Sequence, residues 1–500
     1  MRLSRRGRRR RIIVSALALV ALSWVIGERA CFDREAWRAD YLQLRAHLEA
    51  SYANLLWVRD VRGLDLVALD QRTQRALDDA ATDRQARRAL EDFLAAFADG
   101  HLHVDRVKLS KRLERWWAEL GRDDAAPVPL DGETAPDVAC AALGFGERDG
   151  DFDPALREAD GFTRLPTSDS VFATAVLERP GARWGLLRIG SFDPRAYAPA
   201  CLRAWASYRG ALTGPCEEAC RDAFLYTAVP DQLLAELAAA IEQLVAAGID
   251  RLAVDVMGNG GGSDWVDPAA RMLSTKTLPC PRLAFLRHPH WSARLRARAA
   301  EVAEDLQKPQ PDGDRALLER ARARLTALAD EAEVPCDLSR LWTDAAAPGC
   351  SNLVAGEYYA CGVYEWLAPG SLAGADARAL LFEGLRYAYT PGRYDGPLVV
   401  LVDGRTASAA EYFAAILRDG EAASIVGART SGAGCGYTGG GVPVVLERSG
   451  LRIRMPDCQR LRRDGQNELA GVTPDHPAPW RDGDDASTRA RALTATLDSL

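Results

Sequence analysis

Arg251-Leu-Ala-Val-Asp-Val-Met257 is an unbroken, mostly apolar run that leads straight into Gly258-Asn259-Gly260-Gly261-Gly262. A short apolar run bounded by glycine reads as a strand buried on both faces. Before it, residues 234 to 247 repeat apolar side chains at helical spacing and end at Gly248, a helix stop. After it, a helix is expected to about Ser274. The same unit recurs as the strand Leu398-Val-Val-Leu-Val402, the turn Asp403-Gly404-Arg405, and a helix from Ser408 to Arg418. Trp184-Gly-Leu-Leu-Arg-Ile189 reads as a further buried strand. Strands that alternate with helices predict an α/β sheet with parallel pairing.

Outward from this core the pattern changes. From Asp33 to Ala98 it is helical, with Trp37, Tyr41, Leu44 and Leu48 on one face and Leu90, Phe93 and Phe97 on another. Asp99-Gly100 breaks the helix, and His101-Leu102-His103-Val104 begins an extended segment. Residues 120 to 180 are rich in Pro, Gly and Asp and carry no PDZ signature, so nothing argues for recognition of C-terminal tails. An insertion at about 280–390 separates the two strand–helix units. Its stretch from Trp291 to Ala332 predicts two helices broken at Pro309-Gln310-Pro311, either a cap beside the active site or a solvated decoration. The expected organisation is 1–27 signal peptide or anchor, 33–98 helical domain, 99–180 β-rich connection, 181–480 catalytic domain with its insertion, and 481–500 C-terminal tail.

Arg2 to Arg11 contain seven arginines, and the next sixteen residues, Ile12 to Gly27, are uncharged and mostly apolar. That is an export signal cut after Gly27, or an uncleaved anchor with the arginines inside. Either form sends the body of the chain out of the cytoplasm, to the periplasm or the medium, and the anchor would add membrane association. The eleven cysteines agree: no CxxC pair occurs and histidine is too scattered for a zinc site, so disulfides in an oxidising compartment are expected. The odd count leaves at least one thiol over. Cys435 and Cys458 flank an expected hairpin from Val442 to Met455 and are the favoured bridge. A net charge of -7 gives no electrostatic reason for a nucleic-acid partner, and no metal or organic cofactor is implied.

Ser408 follows a strand and a tight turn at the start of a helix, where unpaired N–H groups and the positive end of the dipole gather. A hydroxyl that attacks a carbonyl needs such donors for the oxyanion, and the Ala409 N–H is the nearest. Serine is also a favoured helix cap, so position alone does not make it a nucleophile. The glycine run could bring a second backbone donor close; it lacks the spacing of a phosphate loop. The serine also needs a base. Only four lysines exist, Lys108, Lys111, Lys276 and Lys308, and none follows Ser408. A histidine must then serve, from His47, His101, His103, His288, His290 and His476.

Asp99-Gly100-His101, Leu252-Ala-Val-Asp-Val-Met-Gly-Asn-Gly-Gly-Gly262 and Gly396-Pro-Leu-Val-Val-Leu-Val-Asp-Gly-Arg-Thr-Ala-Ser-Ala-Ala-Glu411 resemble three signature blocks of the S41 serine peptidases. Gly427-Ala-Arg-Thr-Ser-Gly432 and Gly471-Val-Thr-Pro-Asp475 match two more, in family order, so the resemblance spans roughly residues 90 to 480. It implies a ClpP/crotonase-like αβ-superhelix and hydrolysis of polypeptides. One branch uses a Ser–Lys dyad, but Ala433 stands where its lysine would fall, and Met257 stands where the family usually has arginine. The tricorn-like branch uses Ser, His and Glu, which correspond here to Ser408, His101 and Glu468. The resemblance then implies an oxyanion hole from the N–H groups of Ala409 and Gly261, with Gly262 beside them, and His103 as the alternative base. Glu411 would anchor the helix, and Asp255 and Asp264 would be structural. The competing readings are a non-catalytic protein that binds peptides or apolar ligands on the same fold, and a crotonase-type enzyme acting on thioesters, which export disfavours.

Overall fold

The computed structural model describes residues 32–105, 130–146, 150–166, 170–343, 349–438, 441–442, 444–481 and 483–500. The signal or anchor segment 1–27, Cys31, Lys108 and Lys111 lie outside the described residues. The chain divides into a smaller unit of residues 1–107, 335–352 and 437–457 and a larger unit of 108–334, 353–436 and 458–500.

In the smaller unit the helices Arg34–Ser51, Leu66–Asp79 and Asp83–Ala95 each start on a side-chain cap. Asp33, Asp65 and Thr82 accept the N–H groups of Ala36, Ala68 and Gln85. The apolar residues expected on their inner faces, from Trp37 to Phe97, are buried. Tyr41 meets Phe93, Tyr52 meets Phe97, and Phe93 meets Phe97 edge to face at 5.1, 5.6 and 5.5 Å. The expected hairpin forms: Val444–Val445 pairs antiparallel with Arg452–Arg454, which pairs in turn with His103–Val104. Asp40 accepts the N–H groups of Arg448 and Ser449 at 2.9 and 2.7 Å, which ties the hairpin turn to the first helix. Cys336 and Cys350 form a disulfide.

The larger unit is built on one seven-stranded sheet of β1 (Phe162–Arg164), β2 (Thr174–Arg179), β3 (Ala182–Arg188), β4 (Arg251–Asp255), β5 (Leu398–Val402), β6 (Ser424–Gly427) and β7 (His476–Pro477). Spatial order follows chain order. The pairs β1–β2 and β2–β3 are antiparallel, and every pair from β3 to β7 is parallel. Parallel neighbours need crossovers. These are α1 (Val229–Ala246) between β3 and β4, α2 (Val266–Met272) with the insertion between β4 and β5, a helix, Ala409–Asp419, between β5 and β6, and residues 428–475, with no α-helix among the described residues, between β6 and β7.

The continuous apolar runs of β4 and β5 have a direct cause. Leu252, Val254, Val400 and Val402 face one core with Leu234, Ala269 and Phe413. Ala253, Val399 and Leu401 face a second core with Leu156, Leu493 and Leu497. Both faces are covered, so the middle of each strand is apolar, and the buried Asp255 at the end of β4 is paired with Arg188. The helical run Glu218–Ala246 is the one described helix long and apolar enough to cross a membrane, but 61% of its apolar window is buried, as in the core helix of a globular domain.

The ClpP/crotonase-like αβ-superhelix is not what the chain forms. A superhelix stacks successive strand–helix turns along a coil axis. Here the seven strands bond edge to edge in one mixed sheet, and helices lie on its two faces. The insertion holds α3 (Pro289–Asp305) and α4 (Asp312–Ala332), broken at Pro309–Pro311 as the sequence predicts. Its strand Arg282–Leu286 pairs antiparallel with Leu353–Val354 on one side and with Cys458–Leu461 on the other. Four disulfides belong to this unit: Cys140–Cys201, Cys216–Cys220, Cys280–Cys361 and the expected Cys435–Cys458.

Candidate active site

Strands β4 and β5 are parallel neighbours, so their C-terminal ends lie side by side, where open α/β sheets place their sites. The turns that follow them interlock. Asp403 accepts the N–H groups of Gly258 at 2.8 Å and Arg405 at 3.0 Å. Thr406 Oγ1 donates to the Val256 carbonyl at 3.0 Å, and the Ala407 N–H donates to the Asn259 carbonyl at 2.9 Å. Asn259, fully buried, donates from Nδ2 to the Ile189 carbonyl at 3.0 Å.

This scaffold delivers Ser408 to the start of the helix Ala409–Asp419, here α5, with φ 56° and ψ -115°. An ordinary cap has an extended backbone. A non-glycine residue at this φ is strained, and such strain persists only where the surroundings impose it. Glu411 supplies part of that constraint. Its fully buried carboxylate accepts the Ser408 N–H at 2.8 Å, Thr430 Oγ1 at 2.6 Å, and the N–H groups of Gly432 and Ala433 at 2.6 and 2.9 Å. With its oxygens so occupied, Glu411 is an anchor.

Gly261 lies against the serine. A Cβ there would stand 2.8 Å from Ser408 Cβ and from Ala409 N, and the residue has φ 98°. At Gly262 a Cβ would collide with the Phe192 backbone at 1.9 Å. Only glycine fits at either position. The Gly261 N–H already donates to Asn259 Oδ1 at 2.8 Å. The N–H groups of Ala409 and Gly262 have no partner among the described residues.

Glu468 opens a short helical turn just before Gly471-Val-Thr-Pro-Asp475 and is fully buried. Its Oε2 accepts from Arg460 Nε at 2.7 Å, while Oε1 has no partner among the described residues. Burial pushes its carboxyl up from the ordinary range; Arg460 opposes the shift and the nearby Glu411 charge adds to it. The Arg460 guanidinium also reaches the Ser408 carbonyl at 3.0 Å, so one side chain joins the two residues.

His101 and His103 belong to the smaller unit. The backbone of His101 is held at both ends: its N–H donates to Asp99 Oδ1 at 3.0 Å and its carbonyl accepts from the Tyr437 hydroxyl. Its ring packs against that of Tyr437 at 5.3 Å, edge to face. Asp99 is buried in turn and accepts from Tyr52 at 2.9 Å and Asn54 at 3.1 Å. His103 is exposed, and its Nδ1 donates to the Gly100 carbonyl at 3.1 Å. His288 caps α3 by accepting the His290 N–H at 3.1 Å. Asp255 is structural, paired with Arg188 at 3.1 Å and bonded to the Met257 N–H at 2.9 Å.

The structure thus brings Ser408, Ala409 and Gly261 together and links Glu468 to them through Arg460. Sequence reasoning missed Arg460, Asn259, Asp403, Thr406 and Tyr437, whose roles depend on long-range contacts. The model of peptidase family S41 matches residues 226–478. No curated protein sequence matches the chain. Among solved structures, mature CPAF complexed with lactacystin aligns with TM-score 0.53 at 16% identity, over 95% of this chain and 98% of that one. Mature CPAF alone gives 0.51 at 16% identity (95% and 97% covered), and a CPAF mutant 0.54 at 14% (95% and 97%). At these identities the likeness is one of fold, and it is this sheet-plus-helices architecture, not a superhelix, that the chain shares. With a family model covering half of its residues and that architecture around the two interlocked turns, the chain belongs to peptidase family S41 and is a serine-type peptidase.

Proposed function

We propose that the chain is an endopeptidase acting outside the cytoplasm, with Ser408 as nucleophile, His101 as general base and Glu468 as the carboxylate that orients the imidazole. The Ser408 hydroxyl attacks a peptide carbonyl while His101 takes its proton. The oxyanion is held by the Ala409 N–H and by the glycine turn, where the Gly262 N–H is the unoccupied donor and Gly261 provides the close approach. His101 then protonates the leaving amine, and water repeats the sequence on the acyl-enzyme. Glu468 stabilises the imidazolium through its open Oε1.

The observation that carries this reading is the strained backbone of Ser408 at the head of a buried helix, with Gly261 packed against it. Among the described residues, a lysine base has little support. Ala433 stands at the corresponding place, Lys308 is paired with Asp305 and Asp376, and Lys276 is bound to the Glu421 carbonyl. The restrained backbone and packed ring of His101 favour it over the exposed His103. Five disulfides support an oxidising compartment. The apolar run 12–27 supports export, with membrane attachment if it is retained.

Hydrolysis of fluorescein-labelled casein by the purified full chain tests the assignment. Ser408→Ala and His101→Ala should each lose about 10³-fold or more in rate, and His103→Ala less than about tenfold. Retained hydrolysis by Ser408→Ala, or a loss confined to His103→Ala, would overturn it.

A further inference from the structure

We propose that Arg460 is the positioning residue of this site, one guanidinium that aims the oxyanion donor of the nucleophile's peptide and holds the triad carboxylate in place. The inference rests on the assignment of Ser408 and Glu468 above.

Arg460 sits on the strand Cys458–Leu461 and is only 8% exposed. Its Nε donates to Glu468 Oε2 at 2.7 Å, and its Nη2 donates to the carbonyls of Ser408 at 3.0 Å and Gly434 at 2.9 Å. The guanidinium lies 5.2 Å from the centre of the Tyr412 ring, on the helix that Ser408 begins. Every one of these partners is a feature of the site or of a loop that borders it.

The Ser408 carbonyl belongs to the same planar peptide group as the Ala409 N–H. In a trans peptide the two point in opposite directions, so a cation that grips the oxygen also fixes the direction of the N–H. It polarises the group as well, which strengthens the N–H as a donor. At its other edge the same fork neutralises Glu468, a carboxylate sealed from water with Glu411 and Arg462 as its other charged neighbours. Without Arg460, Glu468 would take up a proton or swing away, and an imidazolium would lose its counter-charge. A lysine carries the charge but lacks the planar fork that serves three acceptors from fixed directions.

The test compares Arg460→Met and Arg460→Lys in the full chain, using the rate of fluorophosphonate labelling and the kcat and KM for fluorescein-labelled casein. Arg460→Met should lose about 10²-fold or more in kcat and in labelling rate, with KM changed by less than about threefold. Arg460→Lys should recover part of the loss. Because removal of one partner of a buried ion pair can unfold a protein, Arg460→Met is also made in a Glu468→Gln background. There it should cost at least about tenfold less than in wild type, since the charge it holds is gone.

Folded Arg460→Met that labels within about threefold of wild type would overturn the inference and leave the Ser408 assignment standing. A loss confined to KM, or equal losses in the two backgrounds, would also overturn it. A folded wild-type chain that does not label at Ser408 would overturn the assignment, and this inference with it.

Discussion

Ser408 and Gly261 explain each other. The serine's backbone takes a conformation that side-chain-bearing residues rarely hold, and Gly261 is the neighbour that leaves room for it. Both were legible in the sequence, because a glycine run after one strand and a serine after the next are local signals. Arg460 was not legible, because its partner Ser408 is 52 residues away and only the folded chain brings them together. A second residue hidden from sequence is Glu383. Burial pushes its carboxyl up to about 7, the Asp264 charge adds to the shift, and Arg386 opposes it. A raised carboxyl binds its proton more tightly folded than unfolded, so stability falls as pH rises from the unfolded value of 4.5 to about 7. Relative to Glu383→Gln, wild type should lose about 3 kcal/mol across that window. Chemical denaturation at several pH values measures this, and parallel stability curves for the two proteins would refute it.

At the scale of elements, β4, β5 and the helices after them were readable because burial of both sheet faces leaves continuous apolar runs. The break between α3 and α4 was readable from its prolines. That the two units pair in parallel was readable from the alternation of strands and helices, but the order of all seven strands was not. The superhelix was implied by the family resemblance and not by the residues; which strand bonds to which is decided by long-range pairing across the insertion. The C-terminal helix Ala486–Asp498 also escaped notice, though Leu493 and Leu497 seal one face of the sheet. The Cys435–Cys458 bridge was readable from the hairpin it flanks, and it lies next to Gly434 and two residues from Arg460. Replacing both cysteines with serine opens a loop with a sequence separation of 23 and should cost about 3 kcal/mol. It should also lower casein hydrolysis under conditions where the variant remains folded, because the strand that carries Arg460 loses its tether. Full activity in the folded double variant would show that the strand holds its place unaided.

For the whole molecule, five disulfides, a family model spanning half the chain and a fold shared with CPAF describe a serine-type peptidase stapled for an oxidising environment. The family was legible because its five blocks occur in order, although each block alone is short. The architecture was misjudged because the blocks record turns and site residues, not sheet order. The central claim, an activated Ser408 served by His101, is tested most directly by reacting the purified full chain with a fluorophosphonate probe and mapping the adduct by mass spectrometry. An adduct on Ser408 that is lost in His101→Ala and kept in His103→Ala is the expected result. No adduct on folded protein, or an adduct on another residue, would contradict the claim.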